Sequence, residues 1–257
     1  MSSTRRRTTR STRTTRTALT SAFVTVAIAV LVFALHARGA LPSEADAAAP
    51  TGTTATTEPP AADVPEPSRA SSPADLARAR ALLAALPVKG KAPATGYDRT
   101  ADFGSPWLDV DHNGCDTRND VLARDLTDVV RRGPCTVLSG VLLSPYSGAR
   151  IDFVRGDTTS TRVQIDHVVA LENAWVTGAQ QRSAEQRQAL ANDPENLFAV
   201  DQHQNAQKRS GDAATWLPAD TAFRCTYVAH QVSVKSKYGL WVAPAEHDAM
   251  VRVLDHC

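Results

Sequence analysis

Val163-Gln-Ile-Asp-His-Val-Val-Ala-Leu171 decides how this chain is read. It opens as an apolar, β-branched run and reaches Asp166-His167 where that run should end as a strand. Neighbouring side chains on a strand point to opposite faces. The pair can therefore serve one site only if the backbone ends or bends there and the following loop turns His167 inward. Downstream, Asp193-Pro-Glu-Asn-Leu-Phe-Ala-Val-Asp-Gln-His-Gln-Asn-Ala-Gln-Lys208 supplies Asn196, Asn205 and Lys208. Its pattern is a turn, a short strand Leu197–Val200 and a short helix Asp201–Arg209.

The flanks build outward from this segment. Ser72-Pro73 and Asp75 start a helix from Ala74 to Leu86, which Pro87 and Gly90 end. The helical period of Leu122, Leu126, Val129 and Val130 predicts a helix from Asn119 to Arg131. Thr136–Leu143 and Arg150–Val154 read as a hairpin around Pro145-Tyr146-Ser147-Gly148. Thr161–His167 is a further strand. Leu171–Asn192 is helical, broken near Gly178 and restarted by the cap Ser183 with Gln186 three residues on. Residues from Ala222 to Val234 lean to helix, and Pro244–Leu254 is helical. The class is α+β.

Residues 1–17 are rich in Arg, Ser and Thr, and Ala18–Leu35 is an apolar run. This is the pattern of a signal peptide or an N-terminal signal anchor over residues 1–47, with a small-x-small site at Ala45-Asp46-Ala47. In either form the arginines stay inside and the rest is exported. Residues 48–74, made largely of Ala, Pro, Thr and Ser, read as a disordered linker. Residues 75–257 form the folded domain, expected to be a monomer that meets a membrane only through the leader. Setting aside the six arginines of residues 1–17 leaves 22 basic against 27 acidic residues, about −5. A bulk basic field for nucleic acid is absent. Any phosphate binding must come from a local cluster or a bound cation.

Cys115, Cys135, Cys225 and Cys257 suit an oxidising compartment. Three pairings are open, and Cys115–Cys135 with Cys225–Cys257 is favoured because each closes a local loop.

A carboxylate beside an imidazole, followed by amides and a lysine, can hold one hard cation next to a general base. Phosphodiester hydrolysis needs both parts. Histidine takes a proton from water near neutral pH. Mg²⁺ prefers a few protein oxygens with water completing its shell, and it neutralises charge on the phosphorane and the leaving oxygen. Asp166 and Asn205 are the candidate ligands for one Mg²⁺ or Mn²⁺.

The arrangement resembles the ββα-metal core of HNH (His-Me finger) nucleases, and the Asn196–Asn205–Lys208 spacing is similar to that of the HNH domains in RNA-guided nucleases. Residues from about 95 to 257 resemble more closely the exported single-domain proteins of the DUF1524 group, related to the C-terminal domain of GmrSD restriction enzymes. Gly-Cys-Asp-Thr-Arg-Asn-Asp (114–120), Gln-Ile-Asp-His-Val-Val-Ala-Leu (164–171), Ala-Asn-Asp-Pro-Glu-Asn-Leu (191–197) and Val-Lys-Ser-Lys-Tyr-Gly-Leu-Trp (234–241) carry the likeness. The resemblance implies that His167 is the general base, Asp166 the carboxylate ligand and Asn205 the third HNH position. Asn196 would fasten the loop and orient the base, and Lys208 would sit near the scissile phosphate. The long insert at 172–192 departs from the pattern. The implied function is an exported endonuclease, with DNA favoured over RNA as substrate.

Other features carry weaker signals. Asp109-Val-Asp111-His-Asn113-Gly114 has the oxygen spacing of a calcium loop, although a turn capped by its own aspartates explains it as well. Arg118 and Arg124 reach either phosphates or nearby acids. Lys235 and Lys237 beside Tyr238 and Trp241 read as a basic aromatic lip or as ordinary surface lysines. His203, two residues from Asn205, should face away, and Glu172 reads as a solvated helix start. The rival to the nuclease reading is a non-catalytic exported module that binds Ca²⁺ or a cell-surface partner.

Overall fold

A computed structural model describes residues 71–156 and 159–257. The leader and nearly all of the linker lie outside the described residues. Residues 71–74 already belong to the folded body, because Ser71 N–H donates to Thr226 Oγ1 and Ser72 caps the first helix. Among the described residues, no helix is long and apolar enough to cross a membrane.

Helix α1 (Pro73–Ala85) starts on a capping box between Ser72 and Asp75 and buries Leu76, Ala79 and Leu83. Helix α2 (Arg99–Phe103) is capped by Asp98, and α3 (Thr117–Asp125) by Asp116. The predicted helix 119–131 is therefore corrected. Leu126 is extended, and Thr127–Arg132 is strand β1, with Asp128 at φ 52° where the register shifts. The residues Thr127, Val129 and Val130 are β-branched, and pairing with the next strand outweighs the helical period.

Strands β2 (Thr136–Leu143) and β3 (Arg150–Val154) match the predicted hairpin, and β1-β2-β3 form one antiparallel sheet. A second antiparallel pair is β4 (Val163–His167) with β5 (Leu197–Asp201), where His167 faces Leu197 and Val163 faces Asp201. The predicted start of β4 is two residues too early, since Ser160–Arg162 is a single 3₁₀ turn.

Helices α4 (Leu171–Val176) and α5 (Ala184–Asn192) fill the insert between β4 and β5. The break is a close-approach glycine. Gly178 has φ 128°, and a Cβ there would lie 3.0 Å from the Trp241 ring. Ser183 and Gln186 form the predicted capping box. Helix α6 (Gln202–Lys208) follows β5 directly, and α7 (Arg224–Lys237) and α8 (Pro244–Asp255) complete the domain.

All five β5 residues are buried, so β5 divides the core. Phe198 and Val200 pack with α1, α7 and α8 residues such as Leu83, Tyr227 and Met250. Leu197 and Ala199 pack with Val121, Leu142 and Phe153. Both favoured disulfides are present. Cys115–Cys135 ties the loop before α3 to the β1–β2 turn, and Cys225–Cys257 ties the first turn of α7 to Cys257.

Candidate functional site

Residues Gln164 and Asp166 alternate along β4 and so share one of its faces. Helix α6 lies across that face. Its Asn205 Nδ2 donates to Gln164 Oε1 at 2.7 Å, and its Lys208 Nζ lies 2.9 Å from Asp166 Oδ2. Asn205 and Lys208 are three residues apart, hence neighbours on one side of the helix. Helix α6 thus brings Lys208 to Asp166 and Asn205 to Gln164, two positions that share one face of β4.

Two further fastenings come from the β2–β3 turn. Tyr146 O–H donates to Asp166 Oδ2 at 2.7 Å, and the Ser144 and Ser147 hydroxyls both donate to Asp201 Oδ2 at 2.8 Å. Asp201 in turn caps α6 by accepting from Gln204 N–H. One turn therefore sets the position of both the carboxylate and the helix facing it. Complete burial, with the Asp166 charge beside it, pushes the Tyr146 hydroxyl well above its ordinary pKa, so it remains a donor.

Both contacts of Asp166 fall on Oδ2, and the Asn205 contact uses Nδ2. The Oδ1 atoms of the two residues have no protein donor among the described residues. Two hard oxygens of this kind suit a cation such as Mg²⁺, which takes few protein ligands. Among the described residues there is no cluster of three or more His, Cys, Asp and Glu side chains placed for a metal. Any cation here would rest on one carboxylate, amide oxygen and water.

His167 ends β4 and is 6% exposed. Its Nε2 lies 2.8 Å from the Ala191 carbonyl oxygen, and its Nδ1 lies 3.4 Å from Nη2 of Arg99. A carbonyl only accepts and a guanidinium only donates. The proton therefore sits on Nε2, and Nδ1 carries the lone pair. Burial, then the Arg99 charge, lowers the imidazole pKa to about 4. The ring is neutral at physiological pH, with one nitrogen ready to accept a proton.

Asn196 is fully buried and holds the backbone that leaves β4. Its Oδ1 accepts from Val169 N–H at 2.8 Å, its Nδ2 donates to the Leu190 carbonyl at 3.3 Å, and its own carbonyl accepts from Val168 N–H. This is a fastening position. Lys208 is placed differently from the expected phosphate contact. It is buried, and its ammonium also donates to the His167 carbonyl at 2.7 Å, so its charge serves Asp166 and the loop.

Several weaker sequence signals resolve as structure. In the Asp109–Asn113 loop, both Asp109 oxygens accept from Asn113 and Gly114 N–H, and Asp111 accepts from Asn113 backbone and side chain. Asn113 Oδ1 accepts from Cys115 N–H. The loop is closed by its own donors. Arg124 pairs with Asp125 at 2.7 Å and donates to the Pro194 and Leu197 carbonyls, while Arg118 lies over the Trp107 ring. Lys237 is the ordinary surface lysine expected, whereas Lys235 is neither part of a lip nor on the surface. Lys235 is buried against Glu246 at 2.8 Å, and Lys237 pairs with Asp193 at 2.7 Å. His203 is exposed and meets Gln207, away from the site, and Glu172 is exposed.

Sequence reading missed Gln164, Tyr146, Arg99 and the Ala191 carbonyl. Tyr146 had one usable signal, an aromatic residue inside a tight turn. Arg99 had none.

Comparison with known proteins completes the description. An "Uncharacterized secreted protein" of Arthroderma benhamiae is 38% identical over 198 residues, covering 76% of this chain and 91% of that protein. No solved structure matches. With two formed disulfides and a secreted relative, the domain is an extracellular one. The family described as "GmrSD restriction endonucleases, C-terminal domain" matches residues 116–253, and the chain belongs to that family.

Proposed function

We propose that this domain is a ββα-metal endonuclease that hydrolyses phosphodiester bonds, with DNA the favoured substrate, at one divalent cation. The observation that carries the reading is the pair of contacts that His167 makes, one at each ring nitrogen. Its Nε2–H is spent on the Ala191 carbonyl, and its neutral Nδ1 is left as a base at the end of β4.

In this mechanism His167 Nδ1 takes the proton of the attacking water. Asp166 and Asn205 would hold Mg²⁺ or Mn²⁺ through their remaining oxygens. A bound cation supplies charge to stabilise the phosphorane and the departing oxygen. Tyr146 and Lys208 keep the Asp166 carboxylate oriented through its Oδ2 atom. Asn196 holds the loop that aims the ring. Residues 75–257 carry 20 basic against 22 acidic side chains, so with no bulk basic field the affinity is modest, salt-sensitive and without sequence preference.

Plasmid digestion with Mg²⁺ or Mn²⁺, with and without EDTA, tests the reading. The wild type should cut only with metal, and His167→Ala should be inert while keeping its fold. Equal behaviour of the two proteins would favour the rival, a non-catalytic exported module.

A further inference from the structure

Arg99 opens α2 and is exposed, yet its side-chain hydrogen-bond partner among the described residues is an imidazole rather than a carboxylate. The acids beside it are already committed. Asp98 accepts from Thr100 and Ala101 N–H at 2.9 and 2.8 Å, and Asp102 accepts from Asp98 N–H at 2.8 Å. The Arg99 guanidinium therefore meets no carboxylate among the described residues and can take an anionic partner.

The seat of α2 is firm. Phe103 is 1% exposed and packs edge-on against Tyr97 and Trp175, and Arg187 of α5 donates to the Asp102 carbonyl at 2.7 Å. The same α5 supplies the Ala191 carbonyl that holds His167 Nε2. Two packed helices therefore address the imidazole, one through each nitrogen.

The substrate must enter at the nitrogen that Arg99 touches. A water activated there lies roughly 2.6–3.2 Å from Nδ1, and its phosphorus target about 3–3.5 Å further on. The non-bridging phosphate oxygens then fall within reach of a guanidinium 3.4 Å from Nδ1. The planar fork of arginine matches two such oxygens.

We propose that Arg99 is a substrate-binding residue that leaves the imidazole and grips the backbone phosphate under attack. The inference rests on the nuclease reading of His167. It adds a contact from outside the Asp-His…Asn…Lys pattern.

The test is the binding of a short fluorescein-labelled DNA duplex, followed by anisotropy in EDTA between about 50 and 200 mM salt. Wild type, Arg99→Ala, Arg99→Lys and the exposed control Arg150→Ala are compared, with cutting rates measured separately in Mg²⁺. Loss of one phosphate contact should reduce the slope of log K against log salt by about 0.9 and weaken binding roughly tenfold at low salt. Arg99→Lys should restore the slope but not the full cutting rate, because it keeps the charge and loses the fork. Arg150→Ala serves as the reference for any nonspecific loss of one positive charge. An Arg99→Ala protein that binds with the wild-type slope overturns the proposal, whether its cutting is intact or lost, since a residue that only orients His167 would slow cutting without touching the slope. If instead the wild type itself fails to cut with every metal, the nuclease reading fails, and this one with it.

Discussion

In the Asp109–Asn113 loop the side-chain oxygens accept N–H donors from within the loop, whereas on the β4–α6 face the donors crowd onto one oxygen of Asp166 and leave the other open. Both regions place carboxylate and amide oxygens within a few residues of one another. The loop spends its oxygens on a turn, and the strand–helix face keeps two of them. Candidate cation sites are separated by which acceptors remain after the backbone has been satisfied, more than by how many acids are present.

The largest expected effect separates the two regions by activity. His167→Ala should lower cutting by about 10²–10⁴, the range for a lost general base, while Asp109→Ala leaves the rate unchanged in a plasmid assay. Loss of activity in both variants would tie the loop to the site and break the contrast.

Stability comes next. Lys208→Met strips the ammonium from a carboxylate whose side chain is only 9% exposed, which should cost about 3–5 kcal/mol in urea denaturation. Mg²⁺ should recover part of that loss, because a bound cation takes over the charge compensation. Asp109→Ala should show no such recovery.

The pH dependence sharpens the site side. The His167 pKa falls from 6.5 to about 4 on folding. Between those values the unfolded chain holds the extra proton, so this contribution is complete above about 6.5 and is lost as pH falls through about 4. Its full size is about 3 kcal/mol. Burial lowers the His230 pKa as well, in the same sense, so the quantity to measure is the difference in slope between wild type and His167→Ala. Cutting should also persist well below pH 6.5, because the base stays neutral there; a wild-type acid limb at the ordinary imidazole value would contradict the buried placement.

The smallest effect belongs to the loop. Asp109→Ala removes two N–H contacts and should cost about 1 kcal/mol, by the same amount in Ca²⁺ and in EDTA. A loss seen only in Ca²⁺ would restore the calcium reading.

Local signals were the legible ones. The ends of β2 and β3, the Ser183–Gln186 capping box and the break at Gly178 all follow from residue types within one turn or one strand. The misreading of Thr127–Arg132 shows the limit of such signals. Leu122, Leu126, Val129 and Val130 satisfy a helical period, and only the presence of β2 alongside decides for a strand. At the site, Asp166, His167, Asn196, Asn205 and Lys208 could be found because they lie in order along one strand–strand–helix unit. Their partners could not. Tyr146 is 20 residues from Asp166, Ala191 is 24 from His167 and Arg99 is 68 from it.

By itself the sequence determined the hairpin of β2 and β3, the Ser183 cap, which cysteines could close short loops, and which side chains have the chemistry of a base and of hard-cation ligands. These depend on local backbone preference and on covalent structure. Tertiary packing decided which imidazole nitrogen carries the proton, which carboxylate oxygen stays open, and that Lys208 faces inward. Those outcomes depend on donors and acceptors brought together from distant parts of the chain, and burial makes each such pairing obligatory.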